Sequence, residues 1–329
     1  TGNEDAGFWR TEGPFNHINT DSWSHGQGRV NVVVEDPNDQ NTIYVGAPDG
    51  GLWRSSDAGS TWEPLIENFS RLGISDIVID FDNSQNIYIA TGDPDGGDAP
   101  AIGIWKSTDG GVTWVESGDI NASRIYKIEM DPDDSQRLVA ATNQGVYRTE
   151  DAGVTWSQVY ANFVRDIQFA KGQNNPLIFA LALNSNILYR STDNGDTWDQ
   201  ITIDTFLDFN ATRLDVTPAD SNYVYVIASN NSNQYGGTYK STDAGLTFTQ
   251  VHNSTTDDLY NGSGQSWYDL DIAVSETDEN TLIVGVLNLW RSVDGGTSWT
   301  QINNWSTTTQ PSYTHADIHF LKWYGDNLY

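Results

Sequence analysis

Short apolar runs, broken every few positions by turn chemistry, pass along the whole chain. Gly28 to Val34 and Thr42 to Gly46 are rich in β-branched and aromatic residues, and Asp36-Pro37-Asn38-Asp39 between them supplies a turn. The same grammar returns at Ile125 to Met130 and Leu138 to Ala141 around Asp131-Pro132-Asp133-Asp134. No segment sustains a helical period, so the pattern predicts an all-β chain of short antiparallel strands.

One ten-residue stretch punctuates that pattern. Trp53-Arg54-Ser55-Ser56-Asp57-Ala58-Gly59-Ser60-Thr61-Trp62 recurs about Asp109, Asp151, Asp193, Asp243 and Asp294, at steps of 52, 42, 42, 50 and 51 residues. A hydroxyl precedes each acid by two residues and a glycine follows it by two. The carboxylate can accept hydrogen bonds from backbone N–H groups just downstream, and glycine supplies a positive φ, so each stretch predicts a tight corner between two strands. A fixed period of this size is the signature of a repeat architecture.

These residues resemble the Asp-box, or BNR, repeat of sialidases, xyloglucanases, sortilin-type receptors and secreted bacterial β-propellers. The resemblance implies four-stranded antiparallel blades, each carrying its box between strands three and four. In those families the box lies away from the ligand face, which implies a structural role for Asp57, Asp109, Asp151, Asp193, Asp243 and Asp294. Five steps from 57 to 294 average about 47 residues, so 329 residues predict seven blades in a single domain spanning 1–329. His315 to Leu321 reads as the seventh inner strand and Asn327-Leu328-Tyr329 as the start of its second. Asp5 to Trp9 resembles a worn second half of the box and Arg10-Thr11-Glu12 the outer strand after it, so residues 5–12 are expected to close that incomplete blade, removing its open edges. The natural polypeptide is expected to continue past Tyr329.

Composition narrows the partners. Asp and Glu number 45 against 16 Lys and Arg, for a net charge of −29, and six of those basic residues occupy one box position. Such a field repels nucleic acid and anionic membrane surfaces. Cysteine is absent, which removes disulfides and thiolate chemistry, and no apolar run is long enough to cross a membrane as a helix. The acidic, Asn-, Ser-, Thr- and Gly-rich composition points to an extracellular or bacterial cell-surface protein, monomeric as a domain within a larger chain.

Two kinds of loop remain once the boxes are set aside: those between strands two and three, and those joining one blade to the next. They carry the length variation, at 91–100 and 229–235, and three of the five tryptophans outside the boxes, Trp23, Trp267 and Trp305. Indoles on such a face can stack on sugar rings or anchor a protein, or they can fill the gaps between blades. Arg29, Arg165, Arg213, Asp76 and Asp269 sit in or beside inner strands and are expected to line a central channel; the four of these other than Asp76, with Tyr268, complete the expected binding set. Asp93, Asp95 and Asp98 offer oxygen ligands suited to Ca²⁺, without the EF-hand spacing, or form a solvated acidic loop; no cofactor is required. His315, Asp317 and His319 alternate on one strand and could hold a transition metal or serve as polar packing.

A closer resemblance lies in Ser266-Trp267-Tyr268-Asp269-Leu270, Val286 to Ser292 and His315 to His319, which look like BNR-propeller modules of large secreted Bacteroidetes proteins that use type IX secretion. The expectation is a noncatalytic module binding a glycan or protein ligand. The alternative is a glycoside hydrolase, because Ala47 to Arg54 resembles the xyloglucanase segment around a catalytic aspartate. That makes Asp49 a candidate, with Asp93 or Asp317 as the second carboxylate such chemistry needs. Xyloglucanases form their cleft between two propellers, and this chain has residues for one.

Overall fold

The computed structural model describes residues 29–95, 99–170, 177–182, 185–204, 209–306 and 316–329. Every regular element among them is a strand, and the strands fall into two units, one ending at Asn162 and one running from Phe163 to Tyr329.

The first unit holds three four-stranded antiparallel sheets. They are β1 (Val32–Asp36), β2 (Asp39–Ala47), β3 (Gly51–Ser55) and β4 (Glu63–Pro64); β5 (Ile74–Ile79), β6 (Ile87–Thr91), β7 (Ile104–Ser107) and β8 (Val115–Glu116); and β9 (Ile125–Asp131), β10 (Asp134–Thr142), β11 (Gly145–Thr149) and β12 (Ser157–Tyr160). The second unit repeats the plan with β13 (Asp166–Ala170), β14 (Leu177–Leu181), β15 (Ile187–Ser191) and β16 (Asp199–Thr202); β17 (Phe209–Val216), β18 (Val224–Asn230), β19 (Tyr235–Ser241) and β20 (Thr249–His252); and β21 (Asp271–Val274), β22 (Leu282–Gly285), β23 (Leu289–Ser292) and β24 (Thr300–Gln301). A hairpin of β25 (Trp323–Tyr324) and β26 (Asn327–Leu328) ends the chain.

Within each sheet the strands pair in sequence order, so burial varies across the meander. Every residue of β6, β14 and β22 is buried, whereas β4 and β8 are exposed throughout. That explains why second strands read as continuous apolar runs: both faces meet neighbouring sheets. Tyr88 and Ala90 pack with Ile128 and Leu138 in the first unit, and Phe179 and Leu181 with Leu214 and Val226 in the second.

The boxes form the expected corners between third and fourth strands. In the first, Ser55 Oγ donates to Asp57 Oδ1 at 2.8 Å and accepts from Gly59 N at 2.8 Å. Thr61 closes the turn on the carboxylate through its N–H and its hydroxyl, both at 2.7 Å. The glycine stands at φ 82, and Ala58 before it is also left-handed at φ 53, a second strained position the sequence pattern did not announce. Three of the basic residues that precede a box tie one corner to the next: Arg54 donates to Gly110 O, Lys106 to Ala152 O and Arg190 to Ala244 O.

A second tie joins successive sheets at their first strands. Asp76 Oδ2 accepts from Ile128 N at 2.7 Å in the first unit. In the second, Asp166 accepts from Leu214 N, Asp215 from Val274 N and Asp271 from Leu321 N, at 2.6 to 2.8 Å. A first strand is the edge of its sheet, so alternate N–H groups point away from its own ladder, and the preceding sheet's carboxylate satisfies one of them.

The blade count requires correction: the described residues contain six four-stranded sheets, not seven. Dividing length by box spacing assumed equal units, but the connection after β20 takes residues 253–270, and the described residues after β24 form a two-stranded hairpin. The expected seventh inner strand is also displaced. Asp317 has φ 71, which breaks an extended run, and the ladder forms later, where Trp323 pairs with Leu328 and Lys322 bonds Tyr329 through both backbone groups. Asn327–Leu328 is a strand, as expected, although its partner is Trp323–Tyr324. The proposed closure by residues 5–12 lies outside the described residues.

Candidate functional site

In the second unit the connection from β20 to β21 builds an aromatic surface. Leu259 and Tyr260 anchor it in the core beside Leu270. Asp258 then accepts from Tyr260 N and Gly262 N, and Asn261 at φ 53 with Gly262 at φ 75 makes a left-handed corner. Gln265 O next accepts from Tyr268 N and Asp269 N, closing a turn. Ser266 points inward and donates to Asn233 O at 2.8 Å, which leaves Trp267 outward and 53% exposed.

Trp267 does not stand alone. Its ring lies 5.5 Å from Tyr268, whose ring meets His319 edge-on at 4.5 Å and 88°. Arg165 Nη1 donates to Trp267 O at 3.4 Å, and Gln265 Nε2 donates to Asp317 Oδ1 at 3.4 Å. Asp269 is buried beneath this surface. The second unit thus gathers Arg165, Trp267, Tyr268, Asp317 and His319 from three separate segments. Arg213 belongs to β17, where its guanidinium reaches Thr212 O.

Trp305, 42% exposed, is held nearby in the same network. Its N–H donates to Asn288 Oδ1 at 3.0 Å, and Asn288 Nδ2 donates to Asn261 Oδ1 at 3.0 Å. Asn288 lies between β22 and β23, where Val286 O also accepts from Ile318 N at 2.9 Å. Sequence reasoning missed Asn288, Asn261 and Gln265. The one signal available was Asn261-Gly262, a turn dipeptide inside a long connection.

The first unit places two other candidates on adjoining loops. Asp49 is exposed in the turn between β2 and β3, and Asp93 follows β6. Gly73 sits between those loops: a Cβ there would fall 2.6 Å from Pro48 O and 3.1 Å from Gly92 C, so only glycine allows the approach. Asp93 is nearly buried in an ion pair with Arg29 and also accepts from Asp95 N at 3.1 Å. Asp98, Trp23 and His315 lie outside the described residues. Among the described residues, no three His, Cys, Asp or Glu side chains are grouped to hold a metal.

The box carboxylates carry the clearest electrostatic signature. At Asp109 the hydroxyl and N–H of Thr113, then the Ser107 hydroxyl, push the pKa down to about 2. Asp57, Asp151 and Asp193 shift the same way through the equivalent Thr61, Thr155 and Thr197. At Asp243 and Asp294 burial opposes the shift, and hydrogen bonds from Thr247 and Ser298 outweigh it. Such values describe ionised, fully engaged acceptors, not proton donors.

The chain shows similarity to known proteins over most of its length. A family model described as "Sortilin, neurotensin receptor 3" matches residues 144–284. A xyloglucanase of Hypocrea jecorina (strain QM6a) is 26% identical over 314 residues, taking in 87% of this chain and 34% of that protein. The chain therefore spans about a third of the length of this curated relative. Among solved structures, the GH74 xyloglucanase from Xanthomonas campestris matches 83% of this chain and 45% of its own, with TM-score 0.64 and 19% identity. The WD40 repeats of RRP9 match 93% of this chain and 87% of theirs, with TM-score 0.58 and 10% identity. At these identities the likeness shows the fold, and WD40 repeats build β-propellers of four-stranded blades.

Proposed function

We propose that this chain is an extracellular or cell-surface module that binds an uncharged polysaccharide without cleaving it, through the loops of its second unit. The observation that carries this reading is Trp267: an exposed indole in ring contact with Tyr268, presented by a loop that Leu259, Tyr260 and Leu270 anchor in the core. An exposed indole offers an apolar face to the C–H groups of a sugar ring, and amides such as Gln265 can bond its hydroxyls. Asp317 at the edge and a net charge of −29 disfavour acidic polymers. Similarity to xyloglucanases supports a glycan ligand over a protein one.

Calorimetric titration with soluble neutral polysaccharides, xyloglucan among them, tests the assignment. Trp267→Ala should weaken binding by about 1 to 3 kcal/mol, the usual range for an anchoring aromatic. Its melting temperature should stay near that of the unaltered protein, because the side chain is exposed. Equal binding by the two proteins would refute the assignment.

One observation favours a hydrolase as the second reading. Asp49 and Asp93 stand on loops that Gly73 brings together, and two carboxyl groups are what such chemistry needs. Asp93, however, is committed to its ion pair with Arg29, and Asp49 stands exposed on its turn. Binding without cleavage is therefore the reading the geometry supports better.

A further inference from the structure

Asn288 is 4% exposed and lies in the short connection between β22 and β23, yet both ends of its amide are spent on loops that carry exposed indoles. A backbone N–H can only donate, so Trp305 N fixes the carbonyl end of the amide toward residue 305 at 3.0 Å. The NH₂ end then faces Asn261 Oδ1 at 3.0 Å, on the loop that turns Trp267 outward. The same connection offers Val286 O to Ile318 N, one residue before His319. A single buried side chain and its neighbour thus hold three segments: the Trp267 loop, the Trp305 loop and the strand of chain that brings His319 against Tyr268.

We infer that Asn288 is a positioning residue that fixes Trp267 and Trp305 as two platforms of one surface, so that the ligand is an extended polymer chain engaged at both and not a terminal sugar. The inference rests on the glycan-binding reading and deepens it. Two weak stacking contacts on one rigid surface act as linked sites: once a chain is held at the first, the second binds it at high effective concentration. If the loops moved independently, that advantage would be lost to the cost of ordering them.

A size-graded series of neutral β-glucan oligosaccharides, titrated calorimetrically, provides the test. The unaltered protein should gain affinity with chain length until both platforms are spanned. Trp305→Ala should remove that gain, lowering long-chain affinity about tenfold while leaving the shortest ligands unaffected. Asn288→Leu fills much the same space but removes both the acceptor for Trp305 N and the donor to Asn261 Oδ1, and should flatten the length dependence in the same way. Trp267→Ala should weaken every length. A length series in Asn288→Leu that matches the unaltered protein, or a Trp305→Ala loss equal at all lengths, would overturn the two-platform inference and leave glycan binding standing. No binding by the unaltered protein at any length would overturn both.

Discussion

Each box aspartate accepts hydrogen bonds from a residue four positions on and from the hydroxyl two positions before, and that local engagement sets a pH response. All six carboxyls are shifted below their ordinary value. A carboxyl depressed in the folded state contributes stability above its unfolded pKa of about 4 and loses it as the pH falls through the folded value. The melting temperature should therefore drop steeply from about pH 4 down to about pH 2, and replacing Asp109 with Asn should shallow that slope. A melting temperature flat across the interval would contradict the assignment. The corner itself was legible, because acid, hydroxyl and glycine recur at fixed offsets. The left-handed Ala58, Ala152 and Ala244 were not, since alanine carries no signal for that conformation and is held there by the turn around it.

Between elements, the carboxylates that cap a neighbouring first strand show how sheets are fastened without sharing a ladder. Asp166 is buried and satisfies Leu214 N, whose own side chain is in the core. Asp166→Ala should cost about 1 to 3 kcal/mol in chemical denaturation, the range for stranding a buried donor, and an unchanged midpoint would show that the bond is incidental. Strand content was readable from apolar runs and Asp-Pro turns because those are local. The tie was not: its two ends are 48 residues apart, and nothing in Arg165-Asp166-Ile167 distinguishes a capping carboxylate from a ligand-facing one. The same limit displaced the last inner strand. His315 to Leu321 alternates as a strand should, but where a ladder forms depends on a partner, and Leu321 is drawn to Asp271 while pairing begins at Lys322.

For the whole molecule, the repeat determines where variation can be tolerated. Boxes at one end of each four-stranded sheet are locked by internal hydrogen bonds, and the connections at the other end are free to differ in length and chemistry. The Trp267 surface arises there, from the long connection between β20 and β21. Its aromatic members could be named from sequence because indoles outside a packing motif stand out. Asn288 could not, since a buried amide in a short turn looks like any other turn residue until both its partners are seen. The likeness to xyloglucanases extends through the fold, while the geometry offers an exposed aromatic surface in one unit and an exposed Asp49 in the other. The central claim, binding without cleavage, is tested most directly by incubating the protein with soluble xyloglucan and following polymer length by size-exclusion chromatography while retention of the protein is measured on the same polymer. The account predicts that the polymer retains the protein and is recovered at its original length. Shortening of the polymer by the unaltered protein, abolished in Asp49→Asn while retention persists, would contradict it.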